Sequence, residues 1–525
     1  MPDKLTLARR SRIACALALA VIVVWAFAAR IGSVAGPFGF GWQSLGAFYS
    51  KMARNLVEYG PLHARFAMIE NAQPTTSDHW VVYTHHPPGM ALTTAALMAV
   101  LGDGPLAIKS LGVAFALLQV LVTYALVAEA LSRRAGLAAA FATAVLPAGA
   151  YYSTHGSELG PEAVALALLA LLLDERARAK DPARTGRGGG ALAALVGSIF
   201  FAWPGLIVAG FIALRDLFGR RFGRALAFGA VIPAAFALHW VHMAIAMAPV
   251  VPSPATARQT LFESLVAHST LGVADLLRNF TAAQVQARLT GHLRFLFGLP
   301  VLVLAFGGGM LGLAKARRWA PEGAPAQRAW TTLAALATFS LLYSAPLLGA
   351  VIVHRYWLLV ALPLVAFLIG AAVHATAVRP LAGAAWIVAA VAGGLWITRG
   401  VMEMQRRDRT PYFQELGDVL REHVPADQVV YTSANDTDCT SFYARREVRG
   451  GFNDLALERF IGAGRSSGAS IPGWFALVEP TIDPSDTEHA KLAAFLKESW
   501  AATTYRLAKT GADVVLFDLS LPSHR

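Results

Sequence analysis

A few short stretches carry side chains capable of chemistry in an otherwise apolar chain. In Tyr83-Thr84-His85-His86-Pro87-Pro88-Gly89 two imidazoles precede paired prolines. Imidazole near neutral pH acts as a base or hydrogen-bonds a substrate. The prolines suit the first turn of a helix, where their missing N–H groups would be unsatisfied anyway. The loop Tyr151-Tyr152-Ser153-Thr154-His155-Gly156-Ser157-Glu158-Leu159-Gly160-Pro161-Glu162 joins two nearly uncharged apolar runs. Carboxylates at a membrane boundary usually have a functional reason. Glu162 also opens a helix, where the dipole favours an anion, so simple capping is its plain alternative; Glu158 has less structural excuse. His354-Arg355-Tyr356-Trp357 combines two potential phosphate ligands with aromatic residues of the interfacial type, and binding or anchoring would each explain it. Arg54 sits in a helically spaced segment from Gly41 to Gly60; it either holds a phosphate or belongs to an amphipathic interfacial helix ending at a glycine cap.

The elements that must position these groups follow from composition and charge. The 525 residues are 56% hydrophobic and 15% charged, with a mean hydropathy of +0.50, more apolar surface than one soluble core can bury. The first apolar stretch, from about Ser11 to Arg30, follows a basic front but is too long for a cleaved signal, and reads as an anchor. The net charge of +12 sits largely in short loops between apolar runs, so it reports topology rather than nucleic-acid binding. Cys15 lies within the first apolar run and Cys439 in the terminal region; the two cannot meet, and no cysteine metal motif exists.

Keeping Arg133, Arg134, the run Arg176 to Arg187, Arg215 to Arg224 and Lys315 to Arg328 on the cytoplasmic side constrains the path. Gly89 to Leu101 is apolar but far below the ~20 residues a crossing needs, and is expected along the outer interface. Ala191 to Leu214 is expected to enter and leave as two short helices turning at Trp203 and Pro204. Further spans are expected near 105–131, 135–152, 161–174, 225–249, 295–314, 331–352, 357–376 and 381–398, about eleven in all. The basic, amphipathic segment from Thr256 to Arg294 is expected on the membrane surface, and His239 and His242, three residues apart on one helical face, in the interior. Past Arg399 hydropathy falls. A helical pattern at Tyr412 to His423 and strand-like runs at Gln428 to Thr432 and Val514 to Phe517 predict a small α/β domain. The division expected is 1–398 for the membrane domain and 399–525 for the soluble one.

The order of these features resembles the type C glycosyltransferases (GT-C), which include protein O-mannosyltransferases and aminoarabinose transferases. The resemblance spans the whole chain and rests on Tyr49 to Gly60, His85-His86-Pro87-Pro88, Tyr152 to Glu162, the Trp203-Pro204 turn, and His354-Arg355-Tyr356 with Pro363. It implies a polytopic α-helical GT-C fold with interfacial helices in the first external loop. It also implies inverting transfer of a sugar from a polyprenyl phosphate to an acceptor hydroxyl, lipid or glycan, at the outer face of a bacterial inner membrane. The N-terminus would be cytoplasmic and the terminal domain periplasmic, with no cofactor, metal or nucleic acid indicated. Such a reaction needs a base at the acceptor, negative charge near an oxocarbenium-like centre and cations at the leaving phosphate.

One departure stands out: the family carries an acid just after the first span, and this chain has no Asp or Glu between Ile31 and Asn55. The resemblance then points to Glu158 with His86 as the catalytic pair, Glu162 as rival and His85 beside them. Gln43, Arg54, Asp78, Tyr83, His354, Arg355 and Tyr356 make up the expected substrate-binding set. A lipid flippase, or an inactive relative that binds lipid-linked sugar, are the alternative readings.

Overall fold

The computed structural model describes residues 4–39, 43–72, 75–157, 159–180, 188–250, 280–319, 324–344, 348–376, 380–432, 437–450, 473–479 and 487–522. The membrane domain opens with α1 (Lys4–Val34), then α2 (Gln43–Tyr59), α3 (Gly89–Leu101), α4 (Pro105–Ala130), α5 (Arg133–Val145), the short α6 (Pro147–Ala150), α7 (Pro161–Lys180), α8 (Gly189–Phe201), α9 (Pro204–Phe218), α10 (Phe222–Gly229) and α11 (Val231–Met247). Five stretches of described helix are long and apolar enough to cross a bilayer, or seven if each sharply bent pair counts as one span. The count of about eleven exceeds this because several expected crossings are short or charged. Helix α7 ends in Asp174, Glu175, Arg176 and Arg178, and α8 and α9 have only 13 and 15 residues.

Helix α3 has the expected bounds, and the Trp203-Pro204 turn separates α8 from α9. The helix Ala282–Phe297 meets the following helix at an 85° bend at Gly298; residues 251–279, most of the segment expected on the membrane surface, lie outside the described set.

Between apolar helices in lipid, attraction comes mainly from close packing, which small side chains permit. Helix α5 shows this: Ala135, Ala139 and Ala140 are fully buried, and a methyl at Gly136 would meet the Tyr124 carbonyl of α4 at 2.7 Å. At the end of the bundle expected to face the cytoplasm, Asp174 and Asp216 are wholly buried. They are matched by Arg178, Arg215 and Arg224, with Glu175 also on Arg215. This network ties the ends of α7, α9 and α10.

The helix Pro380–Asp408 runs without a break through the expected boundary at 398/399, so the soluble domain begins only after it. Helix Tyr412–His423 appears as read from the sequence, followed by strands β1 (Val430–Thr432), β2 (Val448–Arg449), β3 (Trp474–Glu479), β4 (Trp500–Arg506) and β5 (Asp513–Pro522). The sheet order is β2-β1-β3-β5-β4, with β2, β1 and β3 parallel and β5 antiparallel to both β3 and β4. The domain docks on the loop between α1 and α4 through the helix Thr437–Ala444. Phe38, Met52 and Ala53 share one apolar core with Phe413, Leu416 and Phe442. Lys51 pairs with Asp438 at 2.7 Å, and Arg445 with Glu58 and Asp103 at 2.8 Å each. Partly exposed pairs of this kind add little energy; the buried aromatics supply the affinity, at roughly 1.5–3 kcal/mol per side chain.

Candidate active site

The second loop, 151–160, is buried between α2 and α4, and two glycines make that possible. A methyl at Gly112 of α4 would stand 2.1 Å from the Ser153 carbonyl oxygen. Gly156 has φ +65° and lies against Ile108 and the Cα of Gly46, a conformation glycine adopts without steric cost. Arg30, at the outer end of α1 and fully buried, donates to Ser153 Oγ at 3.0 Å and to the Ala26 and Ala144 carbonyls at 2.7 and 3.0 Å. His155 packs against Tyr151 and Tyr152, ring centroids 4.3 and 5.3 Å apart. Burial first, and then the charge of Lys109, push its pKa down to about 3, so the imidazole is neutral.

Glu162, at the start of α7, is 1% exposed, and its carboxylate oxygens bond no other described residue. Its only polar neighbour is its own backbone N–H, so it caps no other residue of the helix. Glycines enclose it: a methyl at Gly160 would lie 2.0 Å from Oε2 and one at Gly112 3.5 Å from Oε1.

The first loop is pinned from below. Lys109 of α4 donates to the carbonyls of Gly36 and Pro37, each at 2.9 Å, and to Gln43 Oε1 at 3.1 Å. Gln43 Oε1 also accepts from the Gly39 N–H. From above, the Tyr443 hydroxyl accepts the Phe38 N–H at 2.7 Å.

Aromatic contacts bring the remaining stretches together. Tyr83 stacks on His86, meets His85 edge-on and packs against Phe48 and Tyr49 of α2. His86 in turn lies 6.4 Å from Trp357, and Tyr152 lies 6.5 Å from Tyr356, between ring centroids. The His85–His86 backbone is held from the other side, Trp203 donating to the His85 carbonyl at 3.2 Å and His239 bonding the Thr84 carbonyl at 3.0 Å. Half-buried Arg355 lays its guanidinium 4.3 Å from the centre of the Phe295 ring and forms no ion pair among the described residues; its buried Nε has no acceptor. Its charge is felt by Tyr151, Tyr152, His292 and Asp408.

Of the residues expected at the site, Tyr83, His85, His86, His354, Arg355 and Tyr356 therefore converge, and Gln43 is fixed nearby on Lys109. Arg54 does not join them: it bonds Asp103 at 2.8 Å and the Phe442 carbonyl at 2.8 Å and stacks over the Phe442 ring, tying α2 to the soluble domain. Asp78 is exposed in a short 3-10 turn beside His79. Glu158 lies outside the described residues. Sequence reasoning passed over Arg30, His155 and Asp408. The signal for Arg30 was a charge at the end of an apolar run, and that for Asp408 one acid inside the basic run Arg406 to Arg409.

Residues 85–200 match the family model of dolichyl-phosphate-mannose-protein mannosyltransferases. No protein of curated function matches the sequence. Among solved structures, ArnT from Cupriavidus metallidurans bound to undecaprenyl phosphate superposes with a TM-score of 0.57 at 15% identity, over 95% of this chain and 97% of that one. The oligosaccharyltransferase of Archaeoglobus fulgidus in its apo form gives 0.59 at 14% identity, over 95% of this chain and 74% of that one. AglB of the same organism, in complex with an inhibitory peptide and a dolichol-phosphate, gives 0.53 at 15% identity, over 96% and 74%. The chain has the GT-C fold over nearly its whole length, as the resemblance implied, and is a multi-pass membrane protein.

Proposed function

From that fold as premise, we propose that the chain transfers a sugar from a polyprenyl-phosphate donor to an acceptor hydroxyl, with inversion, at the outer face of a bacterial cytoplasmic membrane. The observation that carries the reading is Arg355: a half-buried cation without an ion-pair partner among the described residues, at the meeting point of the His85–His86 stretch, the second loop and the His354–Trp357 corner. An unpaired charge held out of water is costly, and a lipid phosphate would repay that cost. ArnT with undecaprenyl phosphate and AglB with dolichol-phosphate support the donor class by fold analogy.

In this reading Arg355 and His354 receive the leaving phosphate, while Tyr83, His85, His86 and Tyr356 wall the sugar. The second-loop acids Glu158 and Glu162 are the bases the resemblance offers, and the terminal domain, docked over the first loop, bounds the acceptor side. The test is sugar transfer by purified full-length protein from a panel of undecaprenyl-phosphate sugars, with membrane extract as acceptor and released lipid phosphate as readout. Turnover with one donor supports the reading. Tight binding of undecaprenyl phosphate without turnover from any donor would instead favour an inactive binder, a reading to which the neutral Gln43 in the first loop lends some weight.

A further inference from the structure

The stretch between Ile31 and Asn55 has no acid of its own, yet a carboxylate stands beside it. Asp408 ends the helix Pro380–Asp408, and its carbonyl oxygen comes so near Gly39 that a methyl there would sit 1.4 Å away. One carboxylate oxygen, Oδ2, accepts the Tyr151 hydroxyl at 2.6 Å. The other makes no hydrogen bond among the described residues, and the side chain is only partly buried. Lys109 and Arg355 both act on its charge, and neither forms an ion pair with it: Lys109 is held by the first-loop carbonyls and Gln43, and Arg355 rests on Phe295. The other described carboxylates fit less well. Glu162 is sealed beneath Gly160 and Gly112, and Glu403 is exposed and paired with Arg406 and Arg407.

We infer that Asp408, delivered from the end of the helix Pro380–Asp408 to the acid-free stretch that follows α1, acts as the base toward the acceptor. The inference rests on the glycosyl-transfer reading above. In the step, the acceptor oxygen bonds the anomeric carbon as its proton passes to Asp408 Oδ1. The bond from that carbon to the phosphate oxygen breaks, and the phosphate leaves with its electron pair toward Arg355. Tyr151 is the positioning residue, its hydroxyl occupying Oδ2 so that Oδ1 faces the acceptor.

The experiment compares full-length wild type with Asp408→Asn, Tyr151→Phe, Glu158→Gln and Glu162→Gln, measuring transfer, undecaprenyl-phosphate binding and thermal stability. Asp408→Asn is expected to lower kcat by about 10²–10⁴-fold with lipid binding and melting temperature unchanged, and acceptors with more acidic hydroxyls should recover part of the rate. Tyr151→Phe should give a smaller loss in kcat with KM preserved. Transfer by Asp408→Asn within threefold of wild type, a loss accompanied by lost lipid binding or stability, or a loss confined to a second-loop glutamine variant would each overturn the inference while leaving the glycosyl-transfer reading intact. Wild type that binds lipid phosphate but transfers nothing would overturn both.

Discussion

The two ends of the membrane bundle treat charge in opposite ways. At the end expected to face the cytoplasm, buried Asp174 is matched by arginines from three helices and buried Asp216 by arginines from two. At the other end Arg355 has no ion pair, Glu162 bonds nothing beyond its own backbone, and Asp408 leaves an oxygen open, all among the described residues. Buried charge is tolerated when it is paired and hydrogen-bonded. The first region therefore has the signature of structure. The second holds ionisable groups that the fold alone does not satisfy, the signature of a place where something binds. One end spends its ions on holding helices together; the other keeps them available.

The largest effect should come from breaking the saturated end. Asp174→Ala strands Arg178, Arg215 and Arg224 with too few anions, and is expected to cost about 3–5 kcal/mol, read as a fall in melting temperature and in recovery of monodisperse protein. An unchanged melting temperature would mean that water already satisfies these arginines and that the contrast is false. Arg355→Ala should do the reverse. Transfer should drop by about 10²–10³-fold, with stability within ~0.5 kcal/mol of wild type as for a residue outside the packed core. A melting temperature lowered as far as in Asp174→Ala would make Arg355 a structural residue.

The same contrast explains what the sequence could disclose. The apolar runs, the short helix Gly89–Leu101, the Trp203-Pro204 break and the terminal α/β pattern were legible because hydropathy and periodicity are local. So was the grouping of Tyr83, His85 and His86 with the His354–Tyr356 corner, through the family resemblance. What was not legible depends on which helices touch. Arg54 looked like a phosphate ligand until the fold brought it Asp103, from the turn between α3 and α4, and the Phe442 carbonyl of the docked domain as partners. Asp408 stands among Arg406, Arg407 and Arg409, and nothing local says that it meets Gly39 and Tyr151. Hydropathy changes near residue 399, whereas the helix that carries this change continues to Asp408, an extent that hydropathy alone does not reveal.

Glu162 tests the contrast at a single residue. Its amide replacement, Glu162→Gln, keeps the shape, and since no other described residue bonds the carboxylate, the expected stability change is within about 1 kcal/mol, far less than for Asp174→Ala. Differential scanning fluorimetry of the two variants side by side makes the comparison. A large loss for Glu162→Gln would place it with the structural charges.

The smallest effect concerns Glu70, which sits between the two regimes at the joint of the first loop and the terminal domain. Burial raises its pKa to about 7; Lys51 opposes the rise, and Asp438 and Glu447 add to it. An unfolded glutamate titrates near ~4.3. Between these values the folded state holds a proton that the unfolded state releases, so stability falls as pH rises across that window and levels off above it. Wild type should therefore melt lower at pH 7.5 than at pH 5.5 by about 1–3 °C more than Glu70→Gln does. Parallel curves for the two proteins would show that Lys51 neutralises Glu70 after all, moving this joint to the saturated side of the comparison.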